Sequence, residues 1–169
     1  MTGTLTVGID IGTTGTKTVL LDPETGVIAQ TSRETALYSP LPGSAEADPA
    51  QWHANVVDSL RELLGASGTR AGAVGAIAVS GMVPAVLPVD DRGAPLRRAI
   101  LQNDARAGAQ VRALAEDLRG IDLVSLTGSA LTQQSVAPTT VWLRDFGEMG
   151  PIVVKQTAQE GSAAHLEHD

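Results

Sequence analysis

Val7-Gly8-Ile9-Asp10-Ile11-Gly12-Thr13-Thr14-Gly15-Thr16-Lys17 is the stretch on which the fold of this chain turns. Leu5, Val7, Ile9 and Ile11 are apolar at every second position, the period of a strand with one buried face. Gly12 to Gly15 then makes a tight turn. Lys17 to Asp22, carrying Thr18, Val19, Leu20 and Leu21, reads as a second strand. Asp22-Pro23-Glu24-Thr25-Gly26 closes it, with proline fixing φ and glycine admitting positive φ. Val27 to Arg33 is the third strand. Three strands joined by tight turns are antiparallel, so the chain opens on a meander and not on strand–helix–strand.

The first turn has the composition of a phosphate cradle. Phosphate needs backbone N–H groups converging on one concavity, and glycines let the ligand approach the backbone. Thr13 and Thr14 add hydroxyls, and Lys17 adds a positive charge. Asp10, at the end of a strand, is placed to hold Mg2+ directly or through water. Phosphoryl transfer is catalysed by positioning and charge neutralisation, for which these residue types are suited. A P-loop fails on spacing, because Thr16 separates Gly15 from Lys17 and a strand follows. A dinucleotide fingerprint fails too, since Gly8, Gly12 and Gly15 do not match it. A glycine-rich hairpin without a ligand is the alternative that the residues alone leave open.

Downstream, Tyr38 to Ala47 reads as a loop. Asp48, Pro49 and Gln51 predict a helix start with an N-cap and a capping box. Trp52, Val56, Leu60, Leu63 and Leu64 share one face, and Gly65 predicts the stop. Ala73 to Ser80 is a nearly continuous apolar run, suited to a central strand covered on both faces. Ala85 to Val89 predicts another strand, closed by Asp90-Asp91-Arg92-Gly93. Helices are predicted from Ala105 to Arg119 and from Val136 to Phe146. Residues 149–169 change character and are read as a disordered tail beside a single domain over 1–148. His165, Glu167, His168 and Asp169 have crude metal-ligand spacing, which such a tail explains without a metal.

Composition narrows the class. The chain has 169 residues, 43% hydrophobic and 18% charged, as expected of a globular protein with one core. Its net charge of −7 disfavours nucleic acid and anionic membrane surfaces as partners. It has no cysteine, which excludes disulfides and thiolate chemistry. Neither a signal peptide nor an apolar run of about 20 residues is evident, so a cytoplasmic location is expected.

Gly8 to Lys17 resembles the first phosphate motif of the actin-like ATPase superfamily, where it forms the turn between the first two strands of a ribonuclease-H-like domain. Further segments resemble the FGGY carbohydrate kinases, in particular their xylulokinase-like members. Asp48-Pro49-Ala50-Gln51-Trp52 is similar to the acidic-Pro-x-x-Trp start of their first helix. Ala76 to Met82 resembles the strand and loop that carry Gly-Gln-Met-His. Leu101-Gln102-Asn103-Asp104-Ala105-Arg106 resembles the Trp-x-Asp/Asn-x-Arg region, and Val136 to Leu143 the Ala-Pro-Lys-Leu-x-Trp helix.

The resemblance implies an α/β, ribonuclease-H-like fold: a mixed sheet with helices on both faces, incomplete in this chain. It implies ATP-dependent phosphorylation of a pentulose or related ketose or polyol. ATP and Mg2+ are the implied cofactors, with Asp10, Gly12, Thr13, Thr14, Gly15 and Lys17 at the nucleotide and Asp10 at the metal. Met82, Val83, Asn103 and Asp104 are implied to face the sugar. Val83 stands where the xylulokinase pattern has His, and Gln102 where Trp is usual, which leaves the sugar open. The Asp that serves as base in the family is expected beyond this chain, so the chain alone is expected to show no turnover. An open sheet edge predicts a homodimer or aggregation. A non-catalytic nucleotide-binding module of the actin or Hsp70 type is the competing expectation, since it shares the phosphate turn.

Overall fold

The computed structural model describes residues 4–146. The tail expected over residues 149–169, with its His and acidic side chains, lies outside the described residues. Strands β1 (Leu5–Ile11), β2 (Gly15–Asp22) and β3 (Gly26–Glu34) form the antiparallel meander that alternation predicts. Short strands β4 (Leu37–Tyr38) and β5 (Glu46–Ala47) follow, then helix α1 (Pro49–Ser67) and β6 (Val74–Gly81). After β7 (Ala99–Ile100) come α2 (Gly108–Asp117), α3 (Leu123–Thr127) and α4 (Val136–Phe146). The main sheet has the order β3-β2-β1-β6, and β6 runs parallel to β1. A second small sheet has the order β4-β5-β7. Among the described residues, no helix is long and apolar enough to cross a membrane.

The core follows from the alternation. Val7, Ile9, Leu20 and Leu63 are buried together, with Leu5, Ile11, Ala29, Val56, Leu60 and Val74 packed against them. Each such aliphatic side chain contributes about 1.5–3 kcal/mol on full burial. α1 therefore covers β2 and β3 on one face of the sheet. The second face expected to carry helices has no comparable helix contact among the described residues. α2 packs instead on α4.

Several local expectations are corrected. Asp48 does cap α1, accepting from the Ala50 N–H at 2.9 Å, but Gln51 closes no capping box. Its Oε1 accepts from the Ala36 N–H at 2.9 Å, which ties α1 to the end of β3. The helix runs past Gly65 and stops at Gly68, whose φ of 65° is the left-handed cap that glycine favours. Residues 38–47, expected as loop, end in β5. Ala85 to Val89 is no strand: only isolated bridges, Val86 to Ile100 and Val89 to Pro95, occur there. Pro84 and Pro88 remove backbone donors from that stretch, which limits the ladder it can build. β6 is the sheet's edge and not a central strand, with Ile77 and Val79 59% and 60% exposed. Its apolar run is real, but no described element covers it.

Candidate functional site

The turn after β1 is fixed from within and from both flanks. The Gly12 N–H donates to the Gly15 carbonyl at 2.9 Å, and the Thr35 N–H donates to the Thr14 carbonyl at 3.0 Å. Glycine is required at position 15 by close approach: a Cβ there would lie 2.5 Å from the Arg33 carbonyl oxygen. At Gly12 a Cβ would sit 3.2 Å from the Gly15 oxygen and 3.8 Å from Asp10 Oδ2, inside the concavity. Asp10 pairs in register with Lys17 on β2 and with Ser80 on β6, so all three lie on the sheet face away from α1. That face holds a shallow depression lined by Asp10, Lys17, Gln30, Ser32 and Ser80. Thr14 is exposed and Thr13 half-buried.

The candidate sugar side begins where β6 ends. The Met82 N–H donates to the Ile11 carbonyl at 3.0 Å, and the Thr13 hydroxyl donates to Met82 Sδ at 3.4 Å. Two segments 69 residues apart in sequence thus meet at the turn. Val83 follows, 71% exposed. The Val86–Ile100 bridge, with N–H···O distances of 2.8 and 2.9 Å, holds the start of this segment beside the one carrying Asn103. Asn103 is exposed and free to face a ligand.

Asp104 is in a different situation. It is only 3% exposed. Its Oδ2 accepts from the Ala45 N–H at 2.6 Å and Arg106 Nη2 at 2.7 Å, and its Oδ1 from the Arg106 N–H and Nε at 2.9 Å. Arg106 also pairs with buried Glu46 at 2.8 Å, which Arg97 reaches at 2.6 Å. Burial pulls the Arg106 pKa down, but hydrogen bonds from Asp104 and Glu46 outweigh it and leave it raised. The Arg106 and Arg97 guanidinium carbons lie 4.9 and 5.6 Å from the Trp142 ring centre, so this ionic cluster anchors α4. Asp104 thus ties the loop that carries Asn103 to Ala45 and Arg106, with both of its oxygens engaged by these donors.

The structure therefore gathers Asp10, Gly12, Thr13, Thr14, Gly15, Lys17 and Met82 around one turn. Asn103 and Val83 are joined to them through the Val86–Ile100 bridge. Sequence reading missed the brace behind the turn. Asn55 Nδ2 donates to the Glu34 carbonyl at 3.0 Å and to Thr35 Oγ1 at 3.3 Å, and Thr35 in turn holds Thr14. The signal was present: Gln51, Asn55 and Ser59 recur every four residues beside the apolar stripe of α1.

Residues 5–149 match the model of the FGGY family of carbohydrate kinases, N-terminal domain. A xylulose kinase of Streptomyces coelicolor is 32% identical over 168 residues, 99% of this chain, so the similarity runs past residue 149. A glycerol kinase of Methylorubrum populi is 32% identical over 92% of the chain. The crystal structure of a xylulose kinase from Rhodospirillum rubrum superposes with a TM-score of 0.79 at 40% identity, covering 84% of this chain and 29% of that one. The fold is thus that of the actin-like ATPases. The chain spans 27 to 32% of the length of the curated relatives it matches.

Proposed function

Since the chain belongs to the FGGY family of carbohydrate kinases, we propose that it carries the phosphate turn and the sugar-side loops for ATP-dependent phosphorylation of a sugar hydroxyl. The sugar is a pentulose or a related ketose or polyol. This range is supported by relatives named for xylulose and for glycerol. The observation that carries the reading is the junction of Thr13 with Met82, which puts the phosphate turn and the sugar-side loop within one hydrogen bond.

The division of labour follows from the side chains. The backbone N–H groups of Thr13 and Thr14 and their hydroxyls bind phosphate oxygens, and Lys17 offsets their charge, while the Gly12 N–H is spent on the Gly15 carbonyl within the turn. Asp10 is exposed and points toward Gly12, where a Cβ would narrow the space, so it fits a Mg2+ held by one carboxylate plus phosphate oxygens. When bound, Mg2+ would neutralise charge on the transferring phosphoryl group. Met82 supplies a polarisable apolar contact to a sugar C–H face, and Asn103 supplies a donor and an acceptor for hydroxyls. Asp104 holds the loop that carries Asn103, through the Ala45 N–H and Arg106. In this division of labour the chain's own residues bind and orient the two substrates.

Thermal melting of the chain against pentoses, ketuloses and polyols, with and without Mg-ATP, tests this. Ligand at about 100 times its Kd stabilises by about 2.7 kcal/mol, or about 5–10 °C for a domain of this size. A shift with one sugar class supports the proposal. A shift with Mg-ATP and with no sugar would favour a nucleotide-binding module instead.

A further inference from the structure

The Thr13 hydroxyl carries one proton, which it donates to the Met82 thioether at 3.4 Å. We propose that this contact is a latch coupling phosphate binding at the turn to sugar binding at the next loop, with Thr13 on the phosphate side and Met82 on the sugar side. The proposal rests on the kinase reading given above.

The coupling follows from competition for single partners. A phosphate oxygen is a charged acceptor and a thioether a weak one, so a phosphate at the turn takes the Thr13 proton and releases Met82. A sugar packed on Met82 takes the place of the Thr13 hydroxyl against the thioether and so releases Thr13. Whichever ligand arrives first breaks the contact, and the second finds it already broken and binds more tightly. The backbone does not have to move. The Met82 N–H stays on the Ile11 carbonyl at 3.0 Å, and Gly81 lies so close that a Cβ there would be 3.3 Å from the same oxygen. Side-chain torsions are enough.

Calorimetric titration of the 169-residue chain tests the latch, with xylulose and the Mg-bound imido analogue of ATP as probes. Each ligand is expected to raise the affinity of the other about three-fold, a modest factor because a thioether is a weak acceptor. Met82→Leu keeps the volume and removes the acceptor. In that variant the coupling factor falls to one, and the nucleotide analogue alone binds as tightly as it does to sugar-saturated wild type. A purely structural Met82 would weaken both ligands and leave the coupling factor intact. Coupling that persists in Met82→Leu, or independent binding in the wild type, overturns the latch and leaves the kinase reading standing. Binding of neither probe by the wild type overturns both. The Met82 methyl carbon resonance gives a second measurement that needs no variant to fold. It shifts on adding the Mg-bound analogue without sugar if the latch opens, and an unmoved resonance overturns the proposal.

Discussion

Asp104→Asn separates a scaffold role from a sugar contact. The carboxylate is 3% exposed, and its partners are the Ala45 N–H, the Arg106 N–H and the Arg106 guanidinium. An amide keeps one acceptor but turns an NH2 group toward donors, so either the Ala45 N–H or the guanidinium loses its partner. Removing one member of a buried ion pair costs about 3–5 kcal/mol. Arg106 would keep Glu46 at 2.8 Å, which places the loss near the lower end, about 3 kcal/mol. Natural domains have only about 5–15 kcal/mol of stability, so the effect is large. With a urea slope of about 2 kcal/mol per M, the midpoint drops by about 1.5 M. Urea unfolding followed by the fluorescence of Trp52 and Trp142 is a suitable assay, because the Arg106 guanidinium lies over the Trp142 ring. An unchanged midpoint accompanied by lost sugar binding would refute the scaffold assignment and return Asp104 to the sugar.

Gly15→Ala sets a methyl 2.5 Å from the Arg33 carbonyl oxygen; it should cost about 1–3 kcal/mol and weaken nucleotide binding, measured by melting and titration. Ile77→Lys on the open edge should change stability by less than about 0.5 kcal/mol while reducing self-association, seen by sedimentation. A hydrogen bond from the Ser125 hydroxyl holds the Asp122 pKa below the ordinary carboxylate range, as one from Arg144 does for Asp145. Both folded pKa values are depressed, so their stabilisation is present above the unfolded carboxylate pKa and is lost as pH falls through the folded one. Asp122→Ala should therefore lower the melting temperature at neutral pH more than at acid pH, and an equal effect at both would contradict the cap.

The meander, α1 and α4 were legible because alternation, the Asp48 cap and helical spacing act locally. What stayed hidden is set by distant partners. Ala73 to Ser80 looks buried from its composition, yet whether a strand lies inside or at an edge depends on what pairs beside it. Ala85 to Val89 has strand composition, but its prolines restrict it to bridges. The turn that carries Asp10, the glycines and Lys17 was legible, since it is one contiguous segment. The Met82–Thr13 contact and the Asn55–Thr35–Thr14 brace were not, because each joins segments that no local pattern connects. Asp104 shows the same limit: residue type gave its chemistry, and only burial and Arg106 gave its role.

The most direct measurement is titration of the Mg-bound imido analogue of ATP into the wild-type chain and into Lys17→Ala. The account predicts saturable binding by the wild type and a loss of about ten-fold or more in the variant, the weight of one charge-assisted phosphate contact. No binding by a folded wild type, or equal binding by both, would contradict the assignment of the Gly12–Lys17 turn as the phosphate site.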